Sequence, residues 1–424
     1  MEQTLKIKQY KSGLRLVVNN KDDSEIISFR IFVNVASKDE TKEEYGIAHF
    51  LEHMFFKSTD KHSYQELANL FDELGIQKNA YTGTYNTCYY FKCLKNVYEQ
   101  SMQLFSEMFF NCTFNKKEIE NEKLVILEEY KMGNDDSQKK CILNAYSSLF
   151  YGTCLEHDVI GTPKHIKSFT ADMLKNFKQK HYLPQKIVIS VSGNVTLKEV
   201  ETLLKKYFAP LFDGEYKEKY KKADLIEVKP KNKFILQNKD NEQSIVYILT
   251  DLGEKTNKQM YAFDLLFAIL GYGMSSKFYN IIRGEKALVY NIDADTSSVG
   301  GNNFAEIMFA TSNDKVCVAL NTVLDILKSC KDGEITNEEL EKSKNKYIAG
   351  MIYSNETNGG ISMRNGADLI NDNKIDSQAQ IVQDIRAVTL KQVVNCANEF
   401  FAQQNYVVSA IGKCNKKDLQ CYKH

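Results

Sequence analysis

Proline is scarce in this chain, 4 in 424 residues, and glycine reaches only 21. Poverty in both excludes collagen-like and low-complexity compositions and describes a compact protein with few irregular segments. Neither sign of charge is in excess: 55 lysines and arginines face 55 aspartates and glutamates. No overall field therefore draws nucleic acid or an anionic membrane surface. Apolar runs fall far short of the roughly 20 residues that span a bilayer; Ala262–Leu270, for example, is interrupted by Asp264. The stretch Met1–Arg15 is polar and lysine-rich, without the apolar core of a secretion signal or the acid-poor amphipathic pattern of a transit peptide. Ten cysteines are scattered, none in C-x-x-C spacing, which excludes zinc-ribbon and thioredoxin arrangements and suits reduced thiols. The expectation is a cytoplasmic protein with no nucleic-acid and no membrane partner.

What is present is enough apolar material, 43% of residues, for two cores in a length that suits two domains of about 200 residues. Alternation over Ser28–Val35 predicts a strand, followed by a helix from about Glu44 carrying HFLEHMFF. NAYTGTYNTCYYFKC, Asn79–Cys93, reads as strands around a turn. Helical spacing follows at Val97–Phe109, Lys116–Met132 and Thr170–Lys180, the last opened by a threonine cap, before a strand at Ile187–Ser192. Asp213–Asn232 is crowded with Lys, Glu and Tyr and has little apolar periodicity. The expected division is a first domain over 1–215, a linker over 216–235 and a second domain over 236–424.

The order of elements recurs after the linker. SIVYILTD, Ser244–Asp251, repeats the strand at Ser28, and the GKC of Gly412 echoes the GNV of Gly193. A duplicated α/β unit is expected. At the same offset, His49, Glu52 and His53 fall on Leu265, Ala268 and Ile269, all apolar. After His181 the only histidine is the terminal His424, so a histidine-based metal site belongs to the first half.

On a helix, His49 and His53 lie four apart on one face and can converge on one metal ion. Glu52 borders that face and can take a proton from metal-activated water without being a ligand. The spacing H-x-x-E-H inverts the H-E-x-x-H of zinc peptidases and has the same mechanical logic. A catalytic zinc normally takes three protein ligands, and the acidic helix offers Glu118, Glu120, Glu122, Glu128 and Glu129. Glu122 and Glu129, two turns apart, share a face, but spacing alone does not choose the ligand.

GIAHFLEHMFFKST resembles the zinc motif of the pitrilysin family of metallopeptidases, the inverzincins, which includes insulin-degrading enzyme and the mitochondrial processing peptidase. The likeness runs along most of the chain. NAYTGTYNTCYYF is similar to that family's substrate-pairing edge strand, ENEKLVILEEYKM to its third-ligand helix, and GTPKHIKSFT with HYLPQKIVISVSGNV to its next helix and strand. GMSSKFYNIIRGEKALVYNI is similar to the segment whose Arg and Tyr stand seven apart, met here by Arg283 and Tyr290. Gly284 and Ala287 depart from the commoner residues without removing a catalytic group.

The resemblance implies one Zn2+ per chain on His49, His53 and Glu129, with Glu52 as general base and Glu122 supporting the metal site from one side. It implies that substrate pairs along Asn79, Ala80 and Tyr81, and that Arg283 and Tyr290 contact substrate, Tyr290 donating to the oxyanion. It further implies an α+β fold of two homologous domains, antiparallel-rich sheets packed with helices. The short, dimeric branch is the best match, a clamshell-like homodimer enclosing a chamber, with Arg283 and Tyr290 acting in trans. The expected activity is that of a zinc metalloendopeptidase acting on short or unfolded peptides, or processing one peptide precursor. The alternative is a non-catalytic core subunit of the same fold. His62, His157, His165 and His181, without sequence neighbours that suggest a site, read as structural. The GYGMSS segment at Gly271 lacks the third glycine of a nucleotide loop, and no cysteine stands in a catalytic pattern with histidine.

Overall fold

The computed structural model describes residues 4–218 and 225–422. Residues 219–224, within the expected linker, lie outside the described residues. Each of the two compact units is an α+β layer structure built on one mixed sheet.

The first unit carries six strands: β1 (Thr4–Gln9), β2 (Arg15–Asn20), β3 (Ile26–Val33), β4 (Gln77–Thr82), β5 (Thr87–Leu94) and β6 (Ile187–Gly193), in the order β1-β2-β6-β3-β5-β4. Only β2 and β6 run parallel; the other neighbours are antiparallel. β3 is central, and seven of its eight residues are buried, as a strand covered on both faces requires. One face carries the aromatic core of Phe29, Phe91 and Phe105, and the helices Ile47–Phe55, Tyr98–Asn111 and Ala171–His181 contribute to the same cluster. Phe29 and Phe91 stack at 5.0 Å, and Phe105 meets both edge-on. The other face, with Val17, Phe32, Cys88 and Val188, is covered by Leu369 and Ile370.

The second unit repeats the plan with five strands: β7 (Phe234–Asn238), β8 (Gln243–Gly253), β9 (Val289–Val299), β10 (Asn302–Ser312) and β11 (Tyr406–Gly412), in the order β7-β11-β8-β10-β9. The single parallel pair, β7 with β11, stands where β2 and β6 stand in the first sheet. The helix Asn257–Gly271 follows β8 as the helix Ile47–Phe55 follows β3, and Leu265, Ala268 and Ile269 are buried in it. The duplication expected from the sequence is therefore a repeat of sheet topology.

The compact units do not follow a single cut along the chain. Among the described residues, unit one comprises 4–131, 157–218 and 353–375, and unit two the remainder. The helix Ser137–Leu149, encoded in the first half, covers β11 and β8 of the second sheet. There Cys141 Sγ donates to Ser409 O at 3.3 Å and Tyr146 OH donates to Glu306 at 2.9 Å. Reciprocally, the helix Asn358–Asp372, encoded in the second half, covers β6 and β3 of the first. Arg15 donates to Leu369 O at 2.7 Å, and Ser28 and Ser362 share a buried hydroxyl contact at 2.8 Å. Neither helix is among those read from spacing above, and periodicity alone says nothing about which sheet a helix covers.

Gly366 sits where that second helix presses closest on the sheet: a Cβ there would lie 2.0 Å from Cε2 of the buried Phe32. Gly366→Ala is expected to destabilise the protein by about 1–3 kcal/mol, the usual cost of overpacking. Calorimetry would show this as a lowered Tm with the secondary structure retained.

Candidate metal centre

The helix Ile47–Phe55 packs Ile47, Ala48, Phe50, Leu51, Met54 and Phe55 into the core. That leaves the ring edges of His49 and His53 on its other face, with ring centroids 4.6 Å apart. Helical periodicity accounts for this: apolar side chains surround a two-residue polar gap at positions four apart. The second helix of the site, Lys116–Asp135, is polar almost throughout and buries only Ile119, Glu122 and Ile126. Glu122 and Glu129, seven apart, both face the histidines. Glu128, one position earlier, points away and pairs with Lys131.

His49, His53 and Glu129 each bring one ligand atom to within 4.8 Å of the others. Glu129 Oε1 lies 3.7 Å from His49 Nε2, and Oε2 lies 3.5 Å from His53 Nε2. Two imidazole nitrogens and one carboxylate oxygen are a donor set that suits zinc. The arrangement behind them fits as well. Glu122 Oε1 lies 2.7 Å from His53 Nδ1, so the proton belongs on Nδ1 and the Nε2 lone pair is presented to a cation. Lys57 Nζ meets the other oxygen, Glu122 Oε2, at 2.5 Å.

Charge follows this geometry. Burial raises Glu122, but the hydrogen bonds from His53 and Lys57 outweigh it and hold the carboxyl below its usual range. For His53, burial pulls the imidazole down, while the carboxylates of Glu122 and Glu129 carry it up to about 9. A cation bound by His53 therefore displaces a proton from it. Glu52 is 9% exposed. Burial pushes its carboxyl up, against the hydrogen bond from Thr82 Oγ1 at 2.6 Å and the neighbouring His53. A raised carboxyl is better matched to accepting and returning a proton near neutrality.

Thr82 ends β4, the strand at the sheet edge. Asn79, Ala80 and Tyr81 precede it, pairing with Tyr90, Tyr89 and Cys88 of β5. The Ala80 amide donates to Asn79 Oδ1 at 2.9 Å.

Arg283 and Tyr290 belong to the second unit and are brought together there. The Arg283 guanidinium lies 4.5 Å from the Tyr279 ring centroid and 5.1 Å from that of Tyr290, and also contacts the Tyr279 hydroxyl. Tyr290 is 77% exposed. The backbone between them is irregular: Tyr279–Glu285 winds as a π-helix, and Ala287 takes a φ of 47°. π-Helical turns and non-glycine residues with positive φ recur at functional segments.

Spacing did not reveal Thr82, Lys57 or Glu40. Thr82 lies one residue past the expected substrate strand and Lys57 one turn after His53, which makes both readable only once the helix is placed against its neighbours. Two of the four histidines read as isolated have carboxylate partners: His62 Nδ1 lies 2.9 Å from Glu107, and His157 Nε2 lies 3.0 Å from Glu40.

Residues 15–163 match the model of the insulinase family, peptidase family M16, and residues 168–347 match that of the peptidase M16 inactive domain. The first range holds the two histidines, Glu52, Glu122 and Glu129; the second holds Arg283 and Tyr290. The chain is 30% identical to the uncharacterized zinc protease YmxG of Bacillus subtilis over 96% of this chain and 98% of that protein. It is 28% identical to an uncharacterized zinc protease of Rickettsia felis over 95% and 96% of the two chains. A crystal structure of a protease from Helicobacter pylori superposes with a TM-score of 0.87 at 22% identity, covering 97% of this chain and all of that one. A peptidase M16 inactive domain from Pseudomonas fluorescens reaches the same score at 18% identity, covering 96% and 98%. The chain belongs to the M16 (insulinase) family of peptidases and is built of two M16-type domains.

Proposed function

We propose that this protein is a zinc-dependent endopeptidase for short or unfolded peptides, working as a homodimer with one Zn2+ per chain. The convergence of His49, His53 and Glu129, with Glu52 beside them and tied to the edge strand, is the observation that carries this reading. When bound, zinc acidifies a water molecule and polarises a peptide carbonyl. Glu52 takes the water proton and later returns it to the leaving amine, a role served by its raised carboxyl. Glu122 fixes the His53 ring, and Lys57 keeps Glu122 charged. An extended substrate lies along Asn79–Tyr81 as an added strand. Its main-chain bonds are nearly blind to side chains, so access limits the choice of peptide more than sequence does. Arg283 and Tyr290 of the opposite protomer engage the substrate, the exposed Tyr290 hydroxyl donating to the developing oxyanion.

Mixing Glu52→Gln protein with an Arg283→Ala/Tyr290→Phe double variant under conditions of subunit exchange is expected to restore cleavage of an unstructured peptide from two inactive parents. Exchange demonstrated by labelled subunits without recovered activity overturns the trans arrangement. Protein that forms the dimer, takes up no metal and cleaves nothing points instead to a scaffold subunit.

Metal uptake carries a proton signature. Because His53 sits at about 9 and must be neutral to bind, zinc binding at pH 7 is expected to release about one proton. The apparent affinity falls roughly tenfold for each pH unit below that value. Titration calorimetry in two buffers of different ionisation enthalpy measures the release directly.

A further inference from the structure

We infer that Glu40, seated by His157, is the positioning residue for the helix that bears His49, Glu52 and His53. The inference rests on the zinc reading above, since positioning matters only if those histidines receive a metal.

The helix Ile47–Phe55 is nine residues long and starts without a cap of its own. Its preceding residue is Gly46, which has no side chain, takes a φ of 97° and makes no side-chain cap bond. The first-turn amides of such a helix need outside acceptors. Glu40 supplies them with both oxygens: Oε2 accepts from Gly46 N and Oε1 from Ala48 N, each at 2.9 Å. A planar carboxylate bonded to two amides two residues apart fixes the helix start in both rotation and axial position. Ala48 immediately precedes His49, so the bond ends one peptide short of the first ligand. Burial raises the Glu40 carboxyl and the bonds from His157, Gly46 and Ala48 oppose that rise; when ionised, the carboxylate also suits the helix N-terminus.

Glu40 is itself immobilised. Its side chain is fully enclosed, and His157 Nε2 lies 3.0 Å from Oε2. His157 Nδ1 is buried and has no partner among the described residues, which assigns the proton to Nε2 and makes His157 the donor. The Tyr45 ring stacks on the imidazole at 3.6 Å with planes 9° apart. The backbone closes the same corner, since a Cβ on Gly46 would lie 2.5 Å from Ile160 O and one on Gly161 2.1 Å from Tyr45 O. The group sets where the helix begins, and a misplacement of about 1 Å in a catalytic constellation is enough to cost two orders of magnitude in rate.

The test uses full-length Glu40→Gln and His157→Phe, with Gly366→Ala as a destabilised control remote from the metal helix. The amide of Glu40→Gln keeps the shape but presents an N–H group to one of the two amides. His157→Phe keeps the stack on Tyr45 and removes the donor. Zinc affinity by chelator competition, the visible spectrum of the cobalt-substituted protein, and kcat and KM on an unstructured peptide are the readouts. Glu40→Gln is expected to weaken zinc by roughly tenfold or more, the usual cost of losing a group that orients ligands. It is also expected to shift the cobalt bands and to lower kcat with KM within about twofold, none of which Gly366→Ala does. His157→Phe changes the same quantities less, and decides alone if Glu40→Gln does not fold. Variants that match wild type in zinc affinity and cobalt spectrum overturn the assignment, whatever their Tm. Wild-type protein that takes up neither metal overturns the zinc reading, and this assignment with it.

Discussion

His53 meets a carboxylate at each ring nitrogen, Glu122 at Nδ1 and Glu129 at Nε2, both from one helix. Much of the site follows from that grip. Seven residues separate the two glutamates, two turns of a stiff rod, so neither can move without the other. The inner carboxylate sets the tautomer, and the tautomer decides which lone pair is offered to a cation. Glu122 in turn needs a cation of its own, supplied by Lys57 just beyond the histidine helix. The two helices are therefore cross-linked by charge on both sides of the ligand position, in a setting buried enough for those charges to matter.

The same sheet plan appears twice with different chemistry. In the first unit the helix after the central strand leaves two imidazoles at its surface. In the second, Leu265, Ala268 and Ile269 fill the matching positions and are buried. In each unit the edge strand also donates to a carboxylate on that helix, but at different helix positions: Thr82 of β4 to Glu52, and Thr296 of β9 to Asp264, which matches Ala48 and not Glu52.

How much of this was legible in the sequence depended on range. His49, Glu52 and His53 could be read because a helix brings them together by local geometry alone. Strands were read at Ser28 from alternation, at Asn79 from Thr and Tyr content and at Ser244 from the recurrence, and each segment is a strand; the Thr170 hydroxyl accepts from Met173 N as its position suggested. Selection of Glu129 from five acidic neighbours depended on where a second helix packs, which spacing does not encode; resemblance to a family supplied it. Glu40, Lys57 and Thr82 were invisible for the same reason, being ordinary residues until tertiary contacts give them partners. The helix Ser137–Leu149 was not read from the sequence, nor was the allegiance of Asn358–Asp372, because an amphipathic stripe specifies that a face is covered and not by what.

That reciprocal allegiance bears on how the chain comes to be folded. The sheet that holds the candidate metal centre has its second face covered by Leu369 and Ile370, residues that leave the ribosome long after the centre's own ligands have been made. Until then Val17, Phe32 and Val188 face water, exposing the kind of apolar surface that invites aggregation during synthesis. The centre's second apolar face can be closed only when translation is nearly finished, so assembly follows a schedule different from the order in which the ligands are encoded. A chain truncated before residue 369 would contain every proposed zinc ligand and still lack part of the cover that stabilises their sheet.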